Sequence, residues 1–188
     1  MRQVRGRDVR PDEGVAREFI GSSVTVFRLS DPGSGERVSR GYWENRAQAG
    51  WGNPYHSAYL NDVTAMDERN LSVLNHLAAG RKLDVLEGAC GYGRYAEKVS
   101  PFCKSYLGVD FCQPYIGEAI LSYPEFRFQQ GDLETLQLDE WFDLIFMVGP
   151  GSSIDANSAE VVTNLKGHLR PSGVLVWFEE SGYTVLPA

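Results

Sequence analysis

The chain is short of cysteine, histidine and long apolar runs. Its 188 residues include three Cys and three His. Cys90, Cys103 and Cys112 form no CxxC pair and no spacing typical of metal ligands, so no metal site is expected. They read as free thiols of a reducing, cytoplasmic compartment. No stretch approaches the roughly 20 apolar residues of a membrane span, and the first residues lack the apolar core of a signal peptide. Positive charge is scarce too. Eighteen Lys and Arg against 25 acids give a formal net charge of −7, which disfavours a broad nucleic-acid footprint. The deficit is uneven, +2 over residues 1–40 and −9 over the rest. Arg2, Arg5, Arg7 and Arg10 have the charge to touch a polyanion, but a solvated terminus is the simpler reading.

What the chain has is a 43% hydrophobic content, sufficient for one compact unit with a proper core. From Leu83 onward, strand and helix signals alternate about every twenty residues. Strands are predicted at 83–87, 105–110, 126–130, 142–148 and 173–179, and helices at 93–100, 114–122 and 156–169. Short apolar strands separated by helices imply an α/β fold, a doubly wound, mainly parallel sheet covered on both faces. A further helix over 65–79 carries Leu71, Leu74 and Leu77/Ala78 as its apolar stripe and is closed by Gly80. Upstream, Ser23–Leu29 and Glu36–Arg40 flank a turn-rich Asp31-Pro-Gly-Ser-Gly35, which predicts an N-terminal β-hairpin. Residues 41–60 are aromatic-rich and broken by Gly50, Gly52 and Pro54, which suggests a helical turn and a loop over a ligand face. Three regions of one domain follow: an arm and hairpin at 1–40, a helical lid at 41–82 and a nucleotide-binding-like core at 83–188.

The chemistry concentrates at LDVLEGACGYGRYA, residues 83–96. A buried strand runs there into an acid, a glycine-rich turn and a new helix, the place where an α/β sheet lays its backbone against a nucleotide-like ligand. Gly91 and Gly93 supply positive dihedrals and the missing Cβ. Gly91 to Ala96 satisfies G-x-G-x-x-G/A, and Asp110 lies 19 residues after Gly91, the spacing of an acid on a ribose hydroxyl. That pattern alone fits any adenosine site. Three further features narrow it. Glu87 stands four residues before Gly91, where a carboxylate repels phosphate but accepts a bond from a ligand ammonium. Gly131-Asp132 follows the third strand, placed for an exocyclic adenine amine. Gly149-Pro150-Gly151 ends the fourth strand in a second close-approach turn.

These residues resemble the class I S-adenosylmethionine-dependent methyltransferases, over about residues 83–180. VLEGACGYG at 85–93 is similar to the family's first motif, with Ala89 where a glycine is commonest. Asp110 in GVDFCQPYIGEA is similar to its second acid and Asp132 in QQGDLETL to its adenine-binding acid. The resemblance implies S-adenosylmethionine as cofactor and S-adenosylhomocysteine as product. It implies Glu87 and Gly91 at the methionine end, Asp110 on the ribose, Phe111 on the adenine face, and Asp132 with the Leu133 amide at the adenine edge. Each has a plainer alternative, since an acid at a strand end also serves as a helix cap and Phe111 also serves as core. Cys90 reads as a small packing residue.

The resemblance further implies a small-molecule acceptor under the lid, where Tyr42, Trp43, Trp51, Tyr55 and Tyr59 are candidate walls. The fourth strand is followed by Val-Gly-Pro-Gly-Ser-Ser, not by the Asn/Asp-Pro-Pro-aromatic signature of amino-methylating nucleic-acid enzymes. His56 is the candidate base, because imidazole titrates near neutrality and it lies in the expected lid, although a loop histidine with no task is the plainer reading. His76 and His168 read as surface residues. The family continues past its fifth strand with an antiparallel pair, whereas this chain has nine residues after Glu179. The N-terminal hairpin is therefore expected to complete the sheet, within one chain or exchanged in a homodimer. Two rival functions stay open: a non-catalytic S-adenosylmethionine-binding regulatory module, and a nicotinamide-dependent oxidoreductase.

Overall fold

A computed structural model describes residues 15–20, 23–28, 40–48, 60–149, 158–179 and 182–188. Six strands form one sheet: β3 (Leu83–Gly88), β4 (Cys103–Asp110), β5 (Arg127–Gln130), β6 (Phe142–Val148), β7 (Leu169–Glu179) and β8 (Gly182–Pro187). Their spatial order is β5-β4-β3-β6-β7-β8. The first five run parallel and β8 runs antiparallel to β7. Order reverses at β3, which lies between β4 and β6, so the turn after β3 opens at the topological switch point where α/β sheets hold ligands.

Period-two alternation divides the core into two layers. Val85, Tyr106, Phe146, Val176 and Phe178 point to one face, where they meet Leu74 and Ala78 of α2 (Leu60–Ala78) and Ala96 and Val99 of the short α3 (Ala96–Val99). Leu86, Leu107, Val109, Ile145, Met147 and Leu175 point to the other, against Val161 and Leu165 of α5 (Ser158–Lys166). Each fully buried Leu or Ile contributes about 2 kcal/mol of transfer free energy. α4 (Gln113–Ser122) carries Pro114 in its first turn and buries Tyr115, Ile116 and Ala119.

The α/β, doubly wound, mainly parallel architecture is as expected, and the five parallel strands stand where the apolar runs put them. The details differ in five places. The helix after the glycine turn covers four residues, followed by a 3-10 turn at Ser100–Phe102 in which Pro101 removes a donor. β7 starts four residues early, with a register shift that carries Arg170-Pro-Ser-Gly173 as an irregular entry. The N-terminal hairpin pairs β1 (Val15–Ile20) with β2 (Ser23–Arg28), so Ser23–Arg28 has an upstream partner, while residues 36–39 of the expected second strand lie outside the described residues. Arg40 instead opens α1 (Arg40–Gln48), a helix longer than the single turn expected.

The fifth difference concerns the sheet edge. The chain's own residues 182–187 turn back on β7, and Tyr183 and Thr184 become buried, with the Tyr183 ring 5.6 Å from that of Phe178. β1 lies against β8, but the hairpin forms a separate two-stranded sheet. The expectation that the hairpin itself completes the ladder is thus corrected for this edge. Two residues separate the strands, and so short a connection places an antiparallel neighbour cheaply because it closes the smallest loop.

Candidate functional site

β3 delivers Glu87 and Gly88 to the switch point, and the chain turns at Ala89 and Gly91, with φ of +54° and +55°. Ala89 adopts this left-handed conformation despite its Cβ, where a glycine would do so without strain. A Cβ on Gly91 would meet open space, so the dihedral is what requires glycine there. Gly93 differs. Its φ is +80°, and a Cβ would stand 2.7 Å from the Phe128 ring, so packing against β5 also fixes this residue.

The turn is held from below by Asp110 at the end of β4. Its Oδ2 accepts the Gly91 N–H at 2.9 Å, and its Oδ1 accepts the Cys112 N–H at 2.8 Å. Cys90 N–H donates to the Val109 carbonyl at 3.1 Å. Asp110 is buried, and burial raises its carboxyl pKa against the lowering effect of the two backbone donors.

Glu87, Ala89, Cys90 and Gly91 line a small cavity with Tyr92, Arg94, Tyr95 and Val148. Glu87 is 3% exposed, and desolvation pushes its carboxyl up to about 8. Its Oε2 accepts the hydroxyl of Tyr106. Arg94 is the basic side chain on this cavity, and it is already paired: its Nη1 lies 3.2 Å from Asp67 Oδ1. Asp67, buried on α2, also accepts Tyr95 O–H at 2.5 Å and an ion pair from Lys98. Asn70 donates to Tyr95 Oη at 3.1 Å, and Arg69 donates to the Glu179 carbonyl at 2.8 Å. α2 is therefore tied by polar contacts both to the glycine turn and to the end of β7.

The adenine-side candidates lie along the next strand ends. Phe111 is half-buried, and its carbonyl accepts from Gln130 Nε2 at 3.0 Å. Asp132 is exposed after β5, and its Oδ1 accepts the Glu134 N–H at 3.0 Å. Leu133 has a buried side chain, and its carbonyl accepts from Asn164 of α5 at 3.0 Å. Gly149 ends β6 with φ of +53° and donates its N–H to the Phe178 carbonyl at 2.9 Å.

Of the lid candidates, Tyr42 lies on α1, while Trp51, Tyr55, His56 and Tyr59 fall outside the described residues. His76 is exposed as expected. His168 corrects its expectation: it is buried, with Nε2 3.2 Å from the Leu136 carbonyl. The three cysteines are unpaired thiols. Among the described residues no group of His, Cys, Asp and Glu is arranged to hold a metal, and no helix is long and apolar enough to cross a membrane.

The sequence reading missed Tyr106, Arg94, Asp67 and Asn164. Tyr106 had a signal: it shares the parity of Gly108 and Asp110 on β4, and the register sets it beside Val85, two residues from Glu87 on the same face. Asp67 had none, because a polar residue on an amphipathic helix reads as solvent-facing.

Residues 85–173 match the family described as a methyltransferase domain. No curated protein sequence matches the chain. Among solved structures, the YcgJ protein of Bacillus subtilis is 25% identical with a TM-score of 0.53, over 58% of this chain and 50% of that one. An S-adenosylmethionine-dependent methyltransferase from Clostridium acetobutylicum is 21% identical with a TM-score of 0.54, over 71% of this chain and 56% of that one. The N-methyltransferase NodS of Bradyrhizobium japonicum, in complex with S-adenosylhomocysteine, is 20% identical with a TM-score of 0.59, over 71% of both chains. This chain spans about half the length of the first two. Over residues 85–173 the chain thus matches a methyltransferase-domain family, and over the sheet its fold is similar to that of S-adenosylmethionine-dependent methyltransferases.

Proposed function

We propose that this chain binds S-adenosylmethionine at the turn after β3 and transfers its methyl group to a small-molecule acceptor. The observation that carries the reading is Glu87, a buried carboxyl on the cavity floor at the head of the glycine turn. A dinucleotide needs anion-stabilising groups at that point. Here the turn offers a carboxyl, and Arg94, the basic side chain on the cavity, is paired with Asp67. An amino-acid ammonium suits that surface; a pyrophosphate does not.

The residues fit the cofactor's parts. Glu87 and the Gly91 backbone would take the methionine end, Asp110 the ribose, Phe111 the adenine face, and Asp132 with the Leu133 amide its edge. When bound, the cofactor supplies an electrophilic methyl on a sulfonium, open to direct displacement. The protein's part is then orientation and exclusion of water, and a base is needed only for a weak acceptor. Within this proposal Tyr42, Trp51, Tyr55 and Tyr59 wall the acceptor, His56 is the candidate base, and Gly149 lets the chain pass close to the cofactor. Cytoplasmic location belongs to the same reading, as does a homodimer through the hairpin.

Calorimetry with S-adenosylmethionine, S-adenosylhomocysteine and NAD tests the cofactor. The first two should bind and NAD should not; the reverse pattern would restore the oxidoreductase. Asp110→Ala should weaken cofactor binding by about tenfold or more, since it removes a charged acceptor. A single-turnover mass shift across phenol, thiol, amine and carboxylate acceptors then separates an enzyme from a binding module. Binding with no transfer to any class would favour the module.

A further inference from the structure

Tyr106 has no part in the reading above, yet its phenol is the one hydrogen-bond donor to Glu87 among the described residues. It is nearly fully buried at the middle of β4, wedged edge-on between Phe126 and Phe128 at 5.6 and 5.8 Å. That packing fixes the ring, so the hydroxyl is delivered to one place. The place is the floor of the cofactor cavity, one carboxyl oxygen deep.

We propose that Tyr106 is a positioning residue that holds the Glu87 carboxyl for the ligand's ammonium group, and that binding releases one proton from Glu87. The inference rests on the S-adenosylmethionine reading. The geometry supports it as follows. A carboxyl sealed in an apolar layer keeps its proton when its surroundings give it little charge to answer. From β4 it faces Tyr106 and Asp110; from α2, Asp67; from its own turn, Cys90 and Arg94. Across the ladder β6 presents Phe146. Arg94 is the one cation in this set, and it is held in an ion pair with Asp67. Desolvation accordingly raises the group to about 8. An arriving ammonium changes the balance: the carboxyl O–H breaks, its proton passes to buffer, and the oxygen keeps the electron pair that faces the cation. The Tyr106 O–H then donates to a full carboxylate, a stronger bond than it makes to the neutral acid.

The test uses the full chain and S-adenosylhomocysteine, which carries the same amino end. Calorimetry near neutral pH in two buffers of different ionisation enthalpy counts protons directly. The wild type should release close to one, and affinity should rise about tenfold per pH unit up to about pH 8, then level off. Tyr106→Phe keeps the aromatic packing and removes the donor. It should lose about tenfold in affinity at neutral pH, and its levelling-off should move to higher pH. Loss of packing alone would not shift the profile. No proton release by the wild type, or an unshifted profile in a folded Tyr106→Phe, overturns the proposal while leaving the cofactor reading intact. If the variant fails to fold, the wild-type proton count alone decides. Absence of binding at every pH removes the cofactor reading and this inference with it.

Discussion

Glu87 shows how one residue sets function against stability. In the unfolded chain it loses its proton near 4.5, and in the fold it holds it to about 8. Between those values the unfolded state binds fewer protons, so stability falls as pH rises, by at most about 1.4 kcal/mol per unit. Asp110, also raised by burial, acts in the same direction. Asp84 opposes them at low pH: Ser105, Arg170 and Lys104 hold its carboxyl below the usual range, and that stabilisation is lost on acidification. Glu87→Gln should therefore flatten the stability curve between about pH 5 and 8 and raise stability at the upper end, while weakening cofactor binding. Denaturant titrations at several pH values would read this, and an unchanged slope would contradict it. Glu87 and Asp110 were legible because a motif fixes their spacing. For Tyr106 only the parity it shares with Asp110 was legible; that it meets Glu87 depends on the register between two strands.

At the scale of elements, one ring packs against both the glycine turn and β4. Phe128 on β5 stands 2.7 Å from the Cβ positions of both Gly93 and Gly108. Gly93→Ala and Gly108→Ala should each cost about 1–3 kcal/mol by overpacking, with a further penalty at Gly93 for its φ of +80°. Because both collide with one side chain, adding Phe128→Leu should recover part of either loss, by about 0.5 kcal/mol or more. Strictly additive melting data would refute the shared contact. α2 makes a related point. Its stripe of Leu74 and Ala78 was readable from helical spacing, but Asp67 and Asn70 continue it as buried polar groups. Only the arrival of Tyr95, Arg94 and Lys98 from the turn and α3 explains why they can be buried.

For the whole molecule, the edges of the sheet are decisive. β8 covers the edge of β7, and without residues 182–188 that ladder would face solvent. Deleting them should lower Tm and promote self-association through β7, whereas deleting residues 1–39 should cost less, since the hairpin stays outside the ladder. Light scattering and thermal melts of both truncations would check the ranking; equal effects would overturn it.

By itself the sequence determined the α/β class, the parallel strands and the glycine turn with its two acids. Those follow from local periodicity and from dihedrals that few residues adopt, both carried by neighbours along the chain. Tertiary structure alone decided which strand closes the sheet, why Asp67 is buried and which donor meets Glu87. Those depend on side chains separated by up to 31 residues in sequence, as Asp67 and Lys98 are, and brought together only by strand register and helix packing.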